Sequence, residues 1–184
     1  SGLVAALDLG TTKACCLIAK SLPEGGFEIH GIGHQISHGI RSGTIVDMER
    51  TESTIRSTIE AAEQMAGENI RNVIVNVSCG EPLSRLIAYE VSIAGHEIGE
   101  VDLRRLLDPA GLVESKNPER ELVHLIPVGY SVDGNKGVRD PRGLHGQSLG
   151  VNMHIVTAAS GSLRNLEHGI SRCHLNICGK VITP

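Results

Sequence analysis

Tryptophan is absent, phenylalanine occurs once and tyrosine twice, so aromatic residues make up 2% of the 184 residues. So few rings leave almost no platforms on which bases could stack. With 17 Lys and Arg against 21 Asp and Glu, and a net charge of −4, there is no basic footprint either. Nucleic acid is not an expected partner. An uninterrupted apolar run of about 18 residues is also missing, which excludes a membrane-spanning helix. The first apolar stretch is too short for a signal peptide and lacks its charged front. The five cysteines (Cys15, Cys16, Cys79, Cys173, Cys178) are odd in number, contain no C-x-x-C pair and lie in apolar runs. That placement excludes a disulfide framework and a paired-ligand zinc site, and it reads as buried thiols of a reducing, cytoplasmic compartment. The chain starts Ser-Gly without Met and stops just after Val181-Ile182, so both ends read as cut from a longer protein.

What remains is a globular composition, 40% hydrophobic and 21% charged, large enough for one domain or two small ones. Its most informative stretch is Leu3 to Lys13, an apolar run that ends in Asp8, turns through Gly10, Thr11 and Thr12, and resumes behind Lys13 as Ala14 to Ile18. Two apolar strands without polar alternation predict a hairpin buried on both sides. Gly10 permits a left-handed backbone or a close approach to a ligand, and successive N–H groups in such a turn form a concavity for phosphate oxygens. Thr11 and Thr12 add hydroxyls and Lys13 a positive charge. Asp8, an acceptor-only group, could hold a divalent cation directly or through its waters. The same residues also suit an ordinary hairpin turn, and spacing does not separate the two readings.

Further along, Phe27 to Ser37 predicts a third meander strand, in which His30, His34 and His38 recur every fourth residue. On a helix they would share one face, but Gly31, Gly33 and the interleaved Ile residues indicate a strand, where four residues span about 13 Å, too far to share one ion. After a loop at 41–44, Asp47 as N-cap, Glu49 and Glu52 in the first turn and Gly67 past the end predict a helix over Met48 to Ala66. Met48, Ile55, Ile59, Ala62 and Ala66 form its apolar face. The β-branched run Arg71 to Ser78 predicts a buried strand reached by a crossover into a parallel position.

From Cys79-Gly80-Glu81-Pro82 the strands alternate polar and apolar. Leu83 to Ile93, a short helix from Val101 to Leu107 capped near Asp102, Glu121 to Val132 interrupted by Pro127, a loop at 133–146 and Ser148 to Ala158 give a strand-helix-strand-strand order, as of an inserted α+β subdomain. Ser162 to Cys173 predicts a helix with Leu163, Leu166 and Ile170 inward, and Ile177 to Ile182 a strand of the first sheet. His124, His154 and Asp140 could be imagined as bases, but no nucleophile or orienting group accompanies them.

Placed in this order, Leu7-Asp8-Leu9-Gly10-Thr11-Thr12-Lys13, Gly31-Ile32-Gly33, Ser37-His38-Gly39-Ile40, Gly43-x-Ile45-Val46-Asp47-Met48-Glu49, His124-Leu125-Ile126-Pro127-Val128-Gly129-Tyr130 and Asp140-Pro141-Arg142-Gly143-Leu144-His145-Gly146 closely resemble the FtsA family of bacterial cell-division proteins, within the actin-like ATPase superfamily. The resemblance runs along nearly the whole chain. It implies an α/β, actin-like (ribonuclease H-like) partial domain, 1–79 with 159–184 as subdomain 1A, and 80–158 as the inserted, SHS2-type subdomain 1C. It further implies that Asp8, Gly10, Thr11, Thr12 and Lys13 belong to the first phosphate loop around ATP, with Mg at Asp8 through water. No catalytic residue is implied, and at most a weak ATPase in the full-length protein.

The implied biology is a scaffold peripheral to the cytoplasmic face of the inner membrane at the division site. In that family FtsZ docks on a region missing here, a missing C-terminal helix binds the membrane, and subdomain 1C mediates self-association and contacts with later division proteins. The second phosphate loop and the adenosine segment are not in this sequence, so little ATP binding is expected of these residues alone. Pro109 and Gly111 fall where the family continues the 1C helix, and a proline there costs about 3 kcal/mol, which predicts a break near Leu107. A carbohydrate kinase and a PilM-like pilus-assembly adaptor are the alternatives.

Overall fold

The computed structural model describes residues 2–108 and 117–182, and the chain divides into two compact units, Ser1–Pro82 with Ala158–Pro184 and Leu83–Thr157. In the first unit, β1 (Leu3–Leu9), β2 (Lys13–Ser21) and β3 (Phe27–Ile36) form the antiparallel meander, and β6 (Asn72–Asn76) and β11 (Asn176–Val181) extend it in parallel, giving the order β11-β6-β1-β2-β3. Between β3 and β6 come β4 (Ile40–Arg41) and β5 (Thr44–Ile45), a miniature hairpin where the sequence indicated a loop. Its turn residues Ser42 and Gly43 have φ of 49° and 73°, the left-handed pair that a two-residue hairpin requires.

The helix α1 spans Met48–Ala66. Asp47 accepts from the Arg50 N–H at 3.0 Å, and Gly67, left-handed with φ 70°, returns its N–H to Glu63 O. Its inward face contains three threonines that apolar spacing missed. Thr51, Thr54 and Thr58 are buried because each hydroxyl donates to the carbonyl four residues back, at 2.8, 3.0 and 2.7 Å, which satisfies the donor inside the helix's own turn. Met48 and Ala66, expected on that face, are only half-buried. The last helix of this unit, Ser160–Arg172, here α3, buries Leu163, Leu166 and Ile170 and feeds β11.

The hairpin is not buried on both faces. Ala5, Leu7 and Leu9 face the core with Ala14, Cys16 and Ile18, but Ala6 and Asp8 are exposed, as are Leu17 at 39%, Ile32 at 45% and Ile36 at 70%. An apolar run made mostly of leucine and small residues conceals this alternation. On β3, His30, Ile32, His34 and Ile36 share the outer face, while Gly31 and Gly33 face α1. All five cysteines are free. Burial pushes the Cys16 thiol up to about 12, but Cys178 is exposed, contrary to the expectation of five buried thiols.

The second unit is a four-stranded sheet of order β7-β10-β8-β9, with β7 at Leu83–Ser92, β8 at Arg120–Val132, β9 at Asn135–Val138 and β10 at Ser148–Ala159. Its core gathers Ile93, Ile98, Leu106, Val132, Leu149, Val151, Met153 and Ile155. Three local expectations change. The loop at 133–146 contains β9, entered by an I′-type turn at Asp133 (φ 48°) and Gly134 (φ 78°), polar enough to read as loop. Pro127 does not interrupt β8, because β9 pairs only with Tyr130 to Val132 and leaves that side of β8 open at the proline. The short helix α2 (Glu100–Leu106) has Gly99 at its N-cap, and Asp102 is three residues inside, its carboxylate turning back to accept the Gly99 N–H at 3.0 Å. The helix stops at Leu106, with Leu107 as its cap, whereas Pro109 and Gly111 lie outside the described residues.

Candidate functional site

Parallel neighbours β1 and β6 run in register, Ala6 beside Ile74 and Asp8 beside Asn76, so both strands bring their carboxyl ends to one rim. Such rims are where open α/β sheets bind ligands. There the chain turns back through Thr11 and Thr12 into β2. The Gly10 N–H donates to Lys13 O at 2.9 Å, closing the hairpin, so it is not available to a phosphate. Gly10 is also outside the left-handed region. It is glycine for a different reason, since a Cβ there would stand 3.0 Å from Lys13 O.

Four further bonds hold the turn. The Gly43 N–H, from the β4–β5 turn, donates to Thr11 Oγ1 at 2.8 Å, the Ser37 N–H donates to Thr12 O at 3.0 Å, Ser78 Oγ donates to Leu9 O at 3.2 Å, and Asn76 Nδ2 donates to Asp8 Oδ1 at 3.1 Å. Asp8, Thr11, Thr12 and Lys13 are all exposed. By register, Asn76, Asp8, Cys15 and His34 form one row across four strands on the outer face, and Lys13 lies on the same face, paired with Ile36.

This donor set fits a magnesium phosphate. Asp8 offers oxygen only. Thr11 Oγ1 accepts from the Gly43 N–H with one lone pair and keeps its own hydrogen to donate, and Lys13 adds a cation. Hydroxyl, carboxylate and ammonium side chains would do most of the binding here, in place of the N–H concavity that the sequence suggested. Asn76, Ser78 and Gly43 escaped the sequence reading. The signal for the first two was present as polar interruptions at the end of a β-branched run expected to lie parallel to β1.

The other polar candidates do different work. Asp140 is gripped by Arg142, Nε to Oδ1 at 2.8 Å and Nη2 to Oδ2 at 2.7 Å, and these bonds hold its carboxyl below the usual range. Arg142 Nη1 also reaches Glu100 Oε1 at 2.7 Å, tying the loop to α2. His124 and His154 are half-buried residues of β8 and β10. Among the described residues, no group of three or more His, Cys, Asp or Glu side chains is set to hold a metal ion, and no helix is long and apolar enough to cross a membrane.

The fold is actin-like. It is similar to a chain of the PilM-PilN type IV pilus biogenesis complex, with a TM-score of 0.63 and 11% identity, over 98% of this chain and 47% of that one, a likeness of fold alone. Residues 82–157 match the family model described as the SHS2 domain inserted in FTSA. Over its whole length the chain is 40% identical to 44% of cell division protein FtsA of Agrobacterium fabrum, and over 95% of its length it is 33% identical to 42% of FtsA of Pseudomonas aeruginosa. The chain belongs to the FtsA family of cell-division proteins, and it spans less than half the length of these curated relatives.

Proposed function

We propose that the full-length protein is an ATP-binding, actin-like division scaffold whose β1–β2 turn holds the nucleotide's phosphates. The observation that carries this reading is that Asp8, Thr11 and Lys13 are exposed near one rim, with Asp8 and Thr11 each fixed by a neighbour. Asp8 would accept hydrogen bonds from waters on magnesium, Thr11 and Thr12 would donate hydroxyls to phosphate oxygens, and Lys13 would neutralise their charge. Magnesium, when bound, supplies charge compensation between phosphate groups. Gly10 keeps the hairpin tight enough for the threonines to stand at its tip.

Family membership extends the proposal to partners. The whole protein would sit on the cytoplasmic face of the inner membrane through a terminal amphipathic helix, link FtsZ to that membrane through a region outside this chain, and use the second unit to self-associate and recruit later division proteins. Calorimetric titration of the full-length protein with ATP and magnesium tests the first part. Saturable binding weakened by Asp8→Ala and Thr11→Val is expected, and no binding by the wild type would refute it. Capture of FtsZ by the full-length protein, and loss of division-protein recruitment when residues 83–157 are deleted, test the second.

A further inference from the structure

We infer that Asn76 is a positioning residue for the Asp8 carboxylate, setting which of its oxygens is offered to a magnesium-bound phosphate. The inference rests on the phosphate-site reading above and names a residue that reading does not require. Asn76 and Asp8 are Cα partners on adjacent parallel strands, so their relation is fixed by the ladder itself and not by a loop. Asn76 Nδ2 donates to Asp8 Oδ1 at 3.1 Å, which engages one carboxylate oxygen of an exposed side chain. The donor is an amide. A lysine or arginine in its place would cancel the charge that attracts a cation, whereas the amide orients the carboxylate and leaves its charge intact.

The sequence around Asn76 supports a role beyond packing. Val73, Val75 and Val77 point inward and are buried, while Ile74 and Asn76 stand on the outer face, the same face as Asp8. Ser78, two residues on, donates to Leu9 O, so β6 holds both the carboxylate and the backbone next to it.

The test is a double-mutant cycle in the full-length protein, using Asn76→Ala, Asp8→Asn and the pair. ATP affinity is read by calorimetry with magnesium and with EDTA, alongside thermal melting without nucleotide. Asn76→Ala is expected to weaken magnesium-ATP binding at least about five-fold, as loss of a bond to a charged acceptor implies. It should leave magnesium-free binding unchanged, lower the nucleotide-free melting temperature only as far as one lost hydrogen bond implies, and add nothing in the Asp8→Asn background. Equal loss with and without magnesium, or a loss that persists beside Asp8→Asn, would overturn the inference, as would wild-type affinity in Asn76→Ala. A wild type that binds no ATP overturns the phosphate-site reading and this inference with it, an outcome distinct from the others because it appears before any substitution.

Discussion

Gly33 lies directly against the carbonyl of Thr58: a Cβ at Gly33 would come within 1.9 Å of that oxygen, and one at Gly31 within 2.2 Å of Ala62 O. The backbone of α1 therefore rests on β3 with no side chain between them. Gly33→Ala should cost about 3 kcal/mol, because neither a helix backbone nor a paired strand can give way as a flexible side chain would. Urea unfolding of the purified variant measures this, and a loss under about 1 kcal/mol would mean the helix moves off the strand at little cost.

Asp102 is buried, 8% exposed, and its carboxyl is held below its ordinary value of 3.8, first by the Gly99 N–H and then by His96, whose Nε2 is 3.0 Å from Oδ1. A lowered folded pKa contributes stability above the ordinary value and loses it as pH falls through the folded one. Asp102→Asn should melt below the wild type at pH 7, and the gap should close progressively below about pH 4. Thermal melts from pH 7 to pH 2 decide the matter, since a gap independent of pH would assign the effect to packing.

Thiol labelling separates the cysteines. Cys178 is exposed and should react first with an aromatic disulfide at pH 8, whereas Cys16, fully buried and pushed up to about 12, should react only on unfolding. Mass spectrometry of partly labelled protein reads the order directly. Early modification of Cys16 would show that β2 opens without global unfolding.

Thr11 accepts from one partner and is proposed to donate to another, so serine and valine in its place should behave differently. Thr11→Ser keeps both roles and should bind magnesium-ATP nearly as well as the wild type in the full-length protein. Thr11→Val leaves the Gly43 N–H unpaired, and should cost about 1 kcal/mol of stability and about ten-fold in affinity. Equal affinity in the two variants would remove Thr11 from the site.

The helices and the inserted unit were legible because their signals are local. Asp47 and Gly67 marked both ends of α1, and Leu163, Leu166 and Ile170 marked the inward face of α3. Where reading failed, the deciding contact came from elsewhere in the chain. Thr51, Thr54 and Thr58 look polar until their hydroxyls are seen to bond within the helix. Pro127 looks like a break until β9 proves too short to reach it. In the candidate site, Asp8 to Lys13 announced itself by type and order. Asn76 and Gly43 could not, because only the β1–β6 register and the β4–β5 turn bring them to Asp8 and Thr11.

Leu83 and Thr157, the first and last residues of the second unit, are Cα partners in the antiparallel β7–β10 ladder, and in the first unit the Ala159 N–H donates to Gly80 O at 2.7 Å. The inserted stretch thus enters and leaves through a single doorway. To the first unit it is one connection between two residues already bonded, so its length and content can change for little more than the entropy of closing a loop.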